Sequence, residues 1–370
     1  MTPLKDRHLI PQIQPWINEE EVRLVSQAVH STLVTEAEFT RKFETQIAGL
    51  TGAKHAIAVC NGTAALYCAL KALGIGPGDE VIVPDLTYVA TANAVIMAGA
   101  DPVFCEIRKD TFCIDLEWAE RLITHRTKVV IPVHLYGQSA DMDQVLRFAR
   151  HHNLKIIEDA AQAVGVRFQG KHVGTFGELG IISFYGNKTI TCGEGGVVLT
   201  EDDALATSVR RLKNHGRDKR GTFVHEHIGF NFSITEMQAA LGVAQMGKLG
   251  RIIQRKREIH DRYLEELAGF GQLEPCQVDP RCSPVFWFTS CLCQESEQLA
   301  EFLLENQVQT RRFFPPLHLQ PCYANHPGKK ENTFPVSEEL YRCGISLPSA
   351  YLLTEIEQSQ VIATIKKFFR

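Results

Sequence analysis

The sequence predicts an α/β fold built on a mostly parallel sheet, with a smaller domain toward the C-terminal end. Three observations predict it. Between about residues 54 and 200, short runs that are apolar almost throughout alternate with amphipathic stretches. Strands with no polar face need cover on both sides, and parallel sheets receive that cover from their crossover helices. From about 234 to 268 the pattern becomes long and helical, and then shorter strand and helix patterns follow. A length of 370 residues also exceeds one compact domain and fits a large domain with a smaller companion.

The elements follow in order. Ala56–Cys60 reads as the first strand and Thr63–Leu73 as a helix, while the Gly and Pro content of 74–79 marks a turn. Further strands are expected at Val81–Pro84, Pro102–Ile107, Lys128–His134, Lys155–Glu158, Ile181–Tyr185 and Val197–Thr200. A helix is expected from Asp141 to His151, opening on an Asp suited to capping. The helical stretch after 234 becomes highly charged at Arg251–Arg262, and Pro284–Leu292 reads as a later strand. The domain boundary is placed near residue 250, giving 1–250 and 251–370.

Composition narrows the function classes. The chain is 44% hydrophobic and 22% charged, with a net charge of -4, so nothing marks a nucleic-acid or membrane binder. An anionic substrate would need a local cluster of donors. No run reaches the ~18 apolar residues of a membrane helix, and Met1–His8 lacks the apolar core of a signal peptide. The 11 cysteines include no CxxC, and the Cys291–Cys293 pair has no zinc-spaced partner, so no metal is expected. Cys60, Cys68 and Cys105 lie in apolar runs and read as reduced core thiols, which implies a cytoplasmic protein. The first strand is not followed by GxGxxG, which argues against a nucleotide-dependent oxidoreductase.

In sheets of this kind ligands collect beyond the C-terminal strand ends. Four motifs fall there. In Cys60-Asn-Gly-Thr-Ala-Ala-Leu66 a strand ends, Gly62 permits a tight turn and Thr63 starts a helix, which offers N–H groups and a hydroxyl to a phosphate. The plainer reading is an ordinary helix cap. Pro84-Asp-Leu-Thr-Tyr88 places an aromatic face at a strand end, for stacking on a flat ring or simply for packing. Asp159, in Ile156-Ile-Glu-Asp-Ala-Ala-Gln162, ends a buried strand and needs a cationic or N–H partner. A pyridinium nitrogen is such a partner; capping the next helix is the alternative. Gln162 could reach a ring hydroxyl.

The fourth motif is Ser183-Phe-Tyr-Gly-Asn-Lys-Thr-Ile-Thr-Cys-Gly-Glu-Gly-Gly196. An apolar strand delivers Ser183 and then Lys188 ahead of a Gly-rich turn. A lysine in a partly dry pocket loses basicity, and can act first as a nucleophile and later as a base. Lys188 is read as the lysine that bonds pyridoxal 5'-phosphate, and the chain as an aminotransferase.

At these residues the chain resembles the DegT/DnrJ/EryC1/StrS sugar aminotransferases. The resemblance runs from Phe43-Glu44 through Asn61–Leu66, Gly76–Pro84, Pro132-Val-His-Leu-Tyr-Gly-Gln138, Glu158–Gln162 and Lys188 to Gly229-Phe-Asn231 and Pro316-Leu-His318. It implies the type I fold, with a mostly parallel mixed sheet in the large domain and a smaller α+β domain, and it implies a homodimer. By position, Thr63 and Ser183 would hold the cofactor phosphate with the backbone of Gly62 and Ala64. Tyr88 would stack on the ring, Asp159 would pair with its nitrogen and Gln162 with its hydroxyl. Asn231 would reach the cofactor of the other subunit.

Within the family, Lys188-Thr-Ile-Thr-Cys-Gly-Glu-Gly-Gly196 resembles the members that aminate C4 of a nucleotide-linked ketosugar with glutamate as donor, and most of all those that make GDP-perosamine. Arg311, Phe314, Pro316 and His318 fall where those members carry Arg-Pro-x-Phe-x-Pro-x-His, which makes Arg311, Phe314 and His318 candidates for substrate contact. Arg312, the segment Ser31–Glu38 and the basic loop 215–221 depart from that pattern. A UDP- or dTDP-linked ketosugar and a non-catalytic regulator remain as alternatives.

Overall fold

A computed structural model describes residues 9–217, 223–326 and 333–370. Its main sheet contains β1 (His55–Val59), β2 (Glu80–Pro84), β3 (Asp101–Cys105), β4 (Thr127–Val130) and β5 (Lys155–Asp159). A short ribbon, β6 (Arg167–Phe168) and β7 (Lys171–His172), precedes β8 (Leu179–Ser183) and β9 (Gly196–Thr200). The order in the main sheet is β1-β9-β8-β5-β4-β2-β3. All neighbours are parallel except β9, which runs against both β1 and β8. The sheet is thus mostly parallel and mixed, as expected.

The single reversal has a local cause. β8 and β9 are joined without a crossover helix, and Ser183 pairs with Gly196 at the mouth of the connecting loop. Antiparallel neighbours need no long crossover. The reversal therefore leaves residues 184–195, Lys188 among them, as a loop beyond the C-terminal end of β8.

The apolar strands bury both faces. Val81 and Val83 point into one core cluster and Ile82 into another; Ile157 and Ile181 join the first, Ile156 and Ile182 the second. That alternation follows from the two-residue period of a strand. The helix Met142–His152 opens on Asp141, whose side chain accepts from Gln144 N–H. The helix Gly62–Ala72 opens on Asn61.

A second sheet follows, β10 (Glu274–Pro275), β12 (Thr289–Leu292), β13 (Arg311–Arg312) and β14 (Gly344–Leu347), in the order β10-β12-β14-β13. β11 (Cys282–Ser283) instead pairs with β6 of the main body. The strand expected over 284–292 is shorter than predicted. Residues 284–288 leave the sheet to cross between the two parts: Val285 N–H donates to Gly137 O at 3.1 Å, and Trp287 and Phe288 are buried beside Tyr136. The long helical stretch is two helices, Glu236–Met246 and Leu249–Leu267. The N-terminal segment reaches the second sheet, where Ile10 bridges Val308 and joins a core with Ile259 and Leu347. All 11 cysteines are free thiols. No helix of the described residues is long and apolar enough to cross a membrane.

Gly137 is the tightest point of this crossing. Its φ is +83°, and a Cβ there would lie 1.8 Å from Val285 O. Gly137→Ala combines left-handed strain with a backbone clash, so it should cost about 2–4 kcal/mol of stability. Denaturant unfolding checks this, and a wild-type midpoint would contradict the account.

Candidate active site

A cavity of about 450 Å³ opens at the C-terminal ends of β1, β2, β5 and β8. Of the residues expected there, Gly62, Thr63, Tyr88, Asp159, Gln162, Ser183, Lys188, Arg311 and Phe314 line it. Ala64, Asn231 and His318 do not.

One end of the cavity is a cradle. Gly62 and Thr63 start a helix, and the side chain of Ser183 stands over Gly62. A Cβ on residue 62 would meet Ser183 Cβ at 2.9 Å and Oγ at 3.1 Å, so only glycine lets the strand end and the helix start approach this closely. The expectation for Ala64 is corrected here. Its N–H donates to Asn61 Oδ1 at 2.8 Å, and so is consumed by the helix cap. The N–H groups of Gly62 and Thr63, with the Thr63 and Ser183 hydroxyls, make up the donor set that an anion would meet.

Another part of the lining is acidic and buried. Asp159 is buried at the end of β5; Oδ2 accepts from Thr91 Oγ1 at 2.8 Å and Oδ1 from Ala161 N–H at 3.1 Å. Burial pushes its carboxyl above the usual range, against these two bonds and the attraction of Lys188. The neighbouring Glu158 behaves oppositely. Burial also works against it, but His134 and the N–H groups of Gly174 and Gly177 hold it below the usual range. Asp159 is thus the under-satisfied carboxylate of the two, and it faces the cavity. A cationic ring N–H is its natural complement. Gln162 Oε1 accepts from Tyr136 N–H at 2.8 Å, which leaves its Nε2 as the donor for a ring oxygen. Tyr88 is 55% exposed at the cavity edge, with its ring 5.8 Å from that of Phe314.

Lys188 lines the same cavity. Burial lowers its amine to about 8, partly offset by Asp159 and reinforced by Arg311. Its Nζ lies 4.3 Å from the centroid of Trp287. Trp287 and Thr91 were not foreseen. Thr91 carries no signal beyond lying in the helix after the Tyr88 motif. Trp287, in Val285-Phe-Trp-Phe288, reads as ordinary core. Glu194 also lines the cavity, and burial raises its carboxyl.

The substrate candidates divide. Arg311 and Phe314 line the cavity, and Phe314 N–H donates to Tyr136 Oη at 3.1 Å. His318 is corrected: it is 2% exposed and lies outside the lining. Its N–H and Nδ1 both bond the Asp85 carboxylate, at 2.8 and 2.7 Å, and its Nε2 lies 3.3 Å from Glu338. Its ring ties segment 311–319 to the loop that carries Tyr88, and so supports the cavity from behind. Arg312 turns away to Tyr341 O and Glu297. Asn231 is exposed and bridges Asn214. Residues 31–38 lie outside the lining, and the basic loop lies outside the described residues from 218 to 221.

The DegT/DnrJ/EryC1/StrS aminotransferase family matches residues 15–366. GDP-perosamine synthase of Vibrio cholerae is 38% identical, covering 98% of this chain and 99% of its own. A protein of Geobacillus stearothermophilus named pleiotropic regulatory protein is 38% identical, covering 96% of this chain and 95% of its own. The crystal structure of S. venezuelae DesV, solved with a ketimine intermediate, superposes with a TM-score of 0.90 at 34% identity, covering 95% of this chain and 94% of that one.

The electrostatics can be tested on the protein without ligand. Competitive acetylation across pH should show Lys188 titrating near 8 rather than 10.5. Asp159→Asn removes the charge that favours the ammonium, so the midpoint should move lower still. An ordinary lysine value, or an upward move in the variant, would contradict the assignment.

Proposed function

The chain belongs to the DegT/DnrJ/EryC1/StrS aminotransferase family, and on that premise we propose that it holds pyridoxal 5'-phosphate at Lys188. The reaction moves an amino group from glutamate to C4 of a nucleotide-linked 4-keto-6-deoxy sugar. GDP-4-keto-6-deoxymannose is the substrate and GDP-perosamine the product. The observation that carries this reading is that one cavity gathers a depressed lysine amine, a cradle of neutral donors and an under-satisfied buried carboxylate.

The residues fit the cofactor group by group. Gly62, Thr63 and Ser183 supply neutral donors for a phosphate, Asp159 an acceptor for a ring N–H, and Gln162 a donor for a ring oxygen. When bound, the cofactor supplies a carbonyl that amines condense with and a ring that accepts electrons from the adjacent carbon. The Lys188 amine, depressed toward 8, is neutral often enough near neutral pH to take the proton from the α-carbon of glutamate. It would pass that proton to the carbon that was the cofactor's carbonyl carbon, so that water releases 2-oxoglutarate and the amino group stays behind for the ketosugar, where the same amine would move a proton in the opposite direction. Thr91 and the Ala161 N–H hold the Asp159 carboxylate toward the ring position throughout. Tyr88, Trp287 and Phe314 wall the cavity with aromatic surface and limit water.

Arg311 and Phe314 are the substrate contacts of this reading, because both line the cavity from the C-terminal sheet. Asn231 is exposed and away from the cavity of its own chain, as a residue that serves the partner's site in a homodimer would be, and the free thiols fit a cytoplasmic protein. The Geobacillus relative's name raises a regulatory role for this chain as a second reading. A binding protein would have no use for a lysine of depressed basicity beside a buried carboxylate, and that observation favours catalysis.

Two measurements test the proposal. Borohydride reduction of protein loaded with pyridoxal phosphate should add the cofactor mass at Lys188, and Lys188→Ala should lose at least ~10³-fold in transamination. A panel of GDP-, UDP- and dTDP-linked 4-ketosugars with glutamate, read by mass spectrometry, should give the amino sugar from the GDP-linked one. Product from another nucleotide alone would remove the GDP assignment and leave the aminotransferase.

A further inference from the structure

We propose that Trp287 is a positioning residue for Lys188: its indole N–H fixes the backbone from which the lysine projects, and its ring face seats the ammonium whenever that amine is not bonded to cofactor. The inference rests on the reading of Lys188 given above.

The geometry is specific at both ends of the indole. Nε1 donates to Asn187 O, the carbonyl next to Lys188, at 2.7 Å. The Lys188 Nζ lies 4.3 Å from the ring centroid, within the reach of a cation–π contact. A buried indole N–H has to find an acceptor. Here the acceptor lies on the loop that carries the reactive side chain, so ring and loop are held in one register.

The tryptophan is itself anchored independently of that loop. It is buried at 1% exposure. Its carbonyl accepts from Lys256 Nζ at 2.9 Å, and the same amine bonds Ser349 O at 2.8 Å. Two residues earlier, Val285 is tied to Gly137. The indole is therefore a fixed post, and the 184–195 loop is the part it steadies.

The chemical need follows from the other charges that line the cavity, Asp159, Glu194 and Arg311. A freed ammonium in a dry site is drawn toward Asp159. An ion pair there would occupy the carboxylate that the cofactor ring requires. A neutral aromatic face offers the cation a seat that leaves Asp159 available. Trp287 thus separates two groups of opposite charge that share one cavity.

The test uses cofactor-free protein and two variants. Trp287→Phe keeps a face and loses the N–H; Trp287→Leu loses both. Trace acetylation across pH follows Lys188, while Lys256 in the same digest reports whether the core is intact. With the face kept, the Lys188 midpoint should stay within about 0.3 pH of wild type. In Trp287→Leu it should fall by roughly half to one pH unit, because the cation loses its seat while burial remains. Amide exchange over residues 185–191 should quicken several-fold in both variants, since both lack the bond to Asn187. Unchanged exchange in Trp287→Phe overturns the proposal. So does a Lys188 midpoint at or above wild type in Trp287→Leu with Lys256 still shielded. If the Leu variant exposes Lys256, exchange in the Phe variant decides alone. Failure of wild-type protein to bond pyridoxal phosphate at Lys188 would instead sink the reading of the lysine, and neither measurement depends on it.

Discussion

The site depends on one close approach, where three backbone segments meet without side chains between them. Gly196, the first residue of β9, would place a Cβ 2.4 Å from Asn61 O and 2.9 Å from Gly62 N. Gly62 in turn admits the Ser183 side chain. Ser183 and Gly196 are paired across the reversal of the sheet. The helix start, the end of β8 and the beginning of β9 are thereby locked together. The lock forms the cradle of Gly62, Thr63 and Ser183 and also fixes where the lysine loop leaves the sheet. A side chain at residue 62 or 196 would separate parts that chemistry needs within a few ångströms.

The second constraint is how charge is buried. Glu158 and Asp159 are consecutive in β5 and so point to opposite faces. Glu158 meets His134 and a run of backbone N–H groups and stays below its usual range. Asp159 meets one hydroxyl and one N–H and is pushed up. The fold evidently can satisfy a buried carboxylate fully, since it does so at the next residue. That it stops short at Asp159 marks the cavity face as the one built for a ligand. Lys188 moves the opposite way for the same reason, burial disfavouring its charge.

Much of this was legible in the sequence because it is written in local pattern. Apolar strands, the Asp141 cap and the Gly-rich turn after Lys188 each carry their cause within a few residues. The rule that ligands gather at strand ends then joined Thr63, Tyr88, Asp159 and Lys188 before any contact was known. What was not legible comes from chain crossings. The amide of Ala64 looks like any other in a helix start until Asn61 is seen to take it. His318 looks like a substrate ligand until Asp85, 233 residues away, is found holding its ring. Residues 284–288 have the composition of a strand, yet they serve as a bridge because Gly137 accepts them. Such pairings have no sequence period to betray them.

Those crossings also explain why the cofactor end of the site was easier to read than the substrate end. Gly62, Thr63, Asp159, Gln162 and Ser183 all stand on or next to the main sheet, whose geometry follows from strand order. Arg311, Phe314 and Trp287 arrive from the C-terminal part, and their places depend on how it is docked. The docking includes polar ties such as Tyr136 Oη to Phe314 N–H, Val285 to Gly137, Trp287 to Asn187, and the buried His318–Asp85 pair. Tyr136 bonds Gln162 through its own N–H, so the same residue holds a cavity-lining amide from the main body and a cavity-lining aromatic from the C-terminal part. A change in any of these ties would move the wall that Arg311 and Phe314 form while leaving the cradle intact.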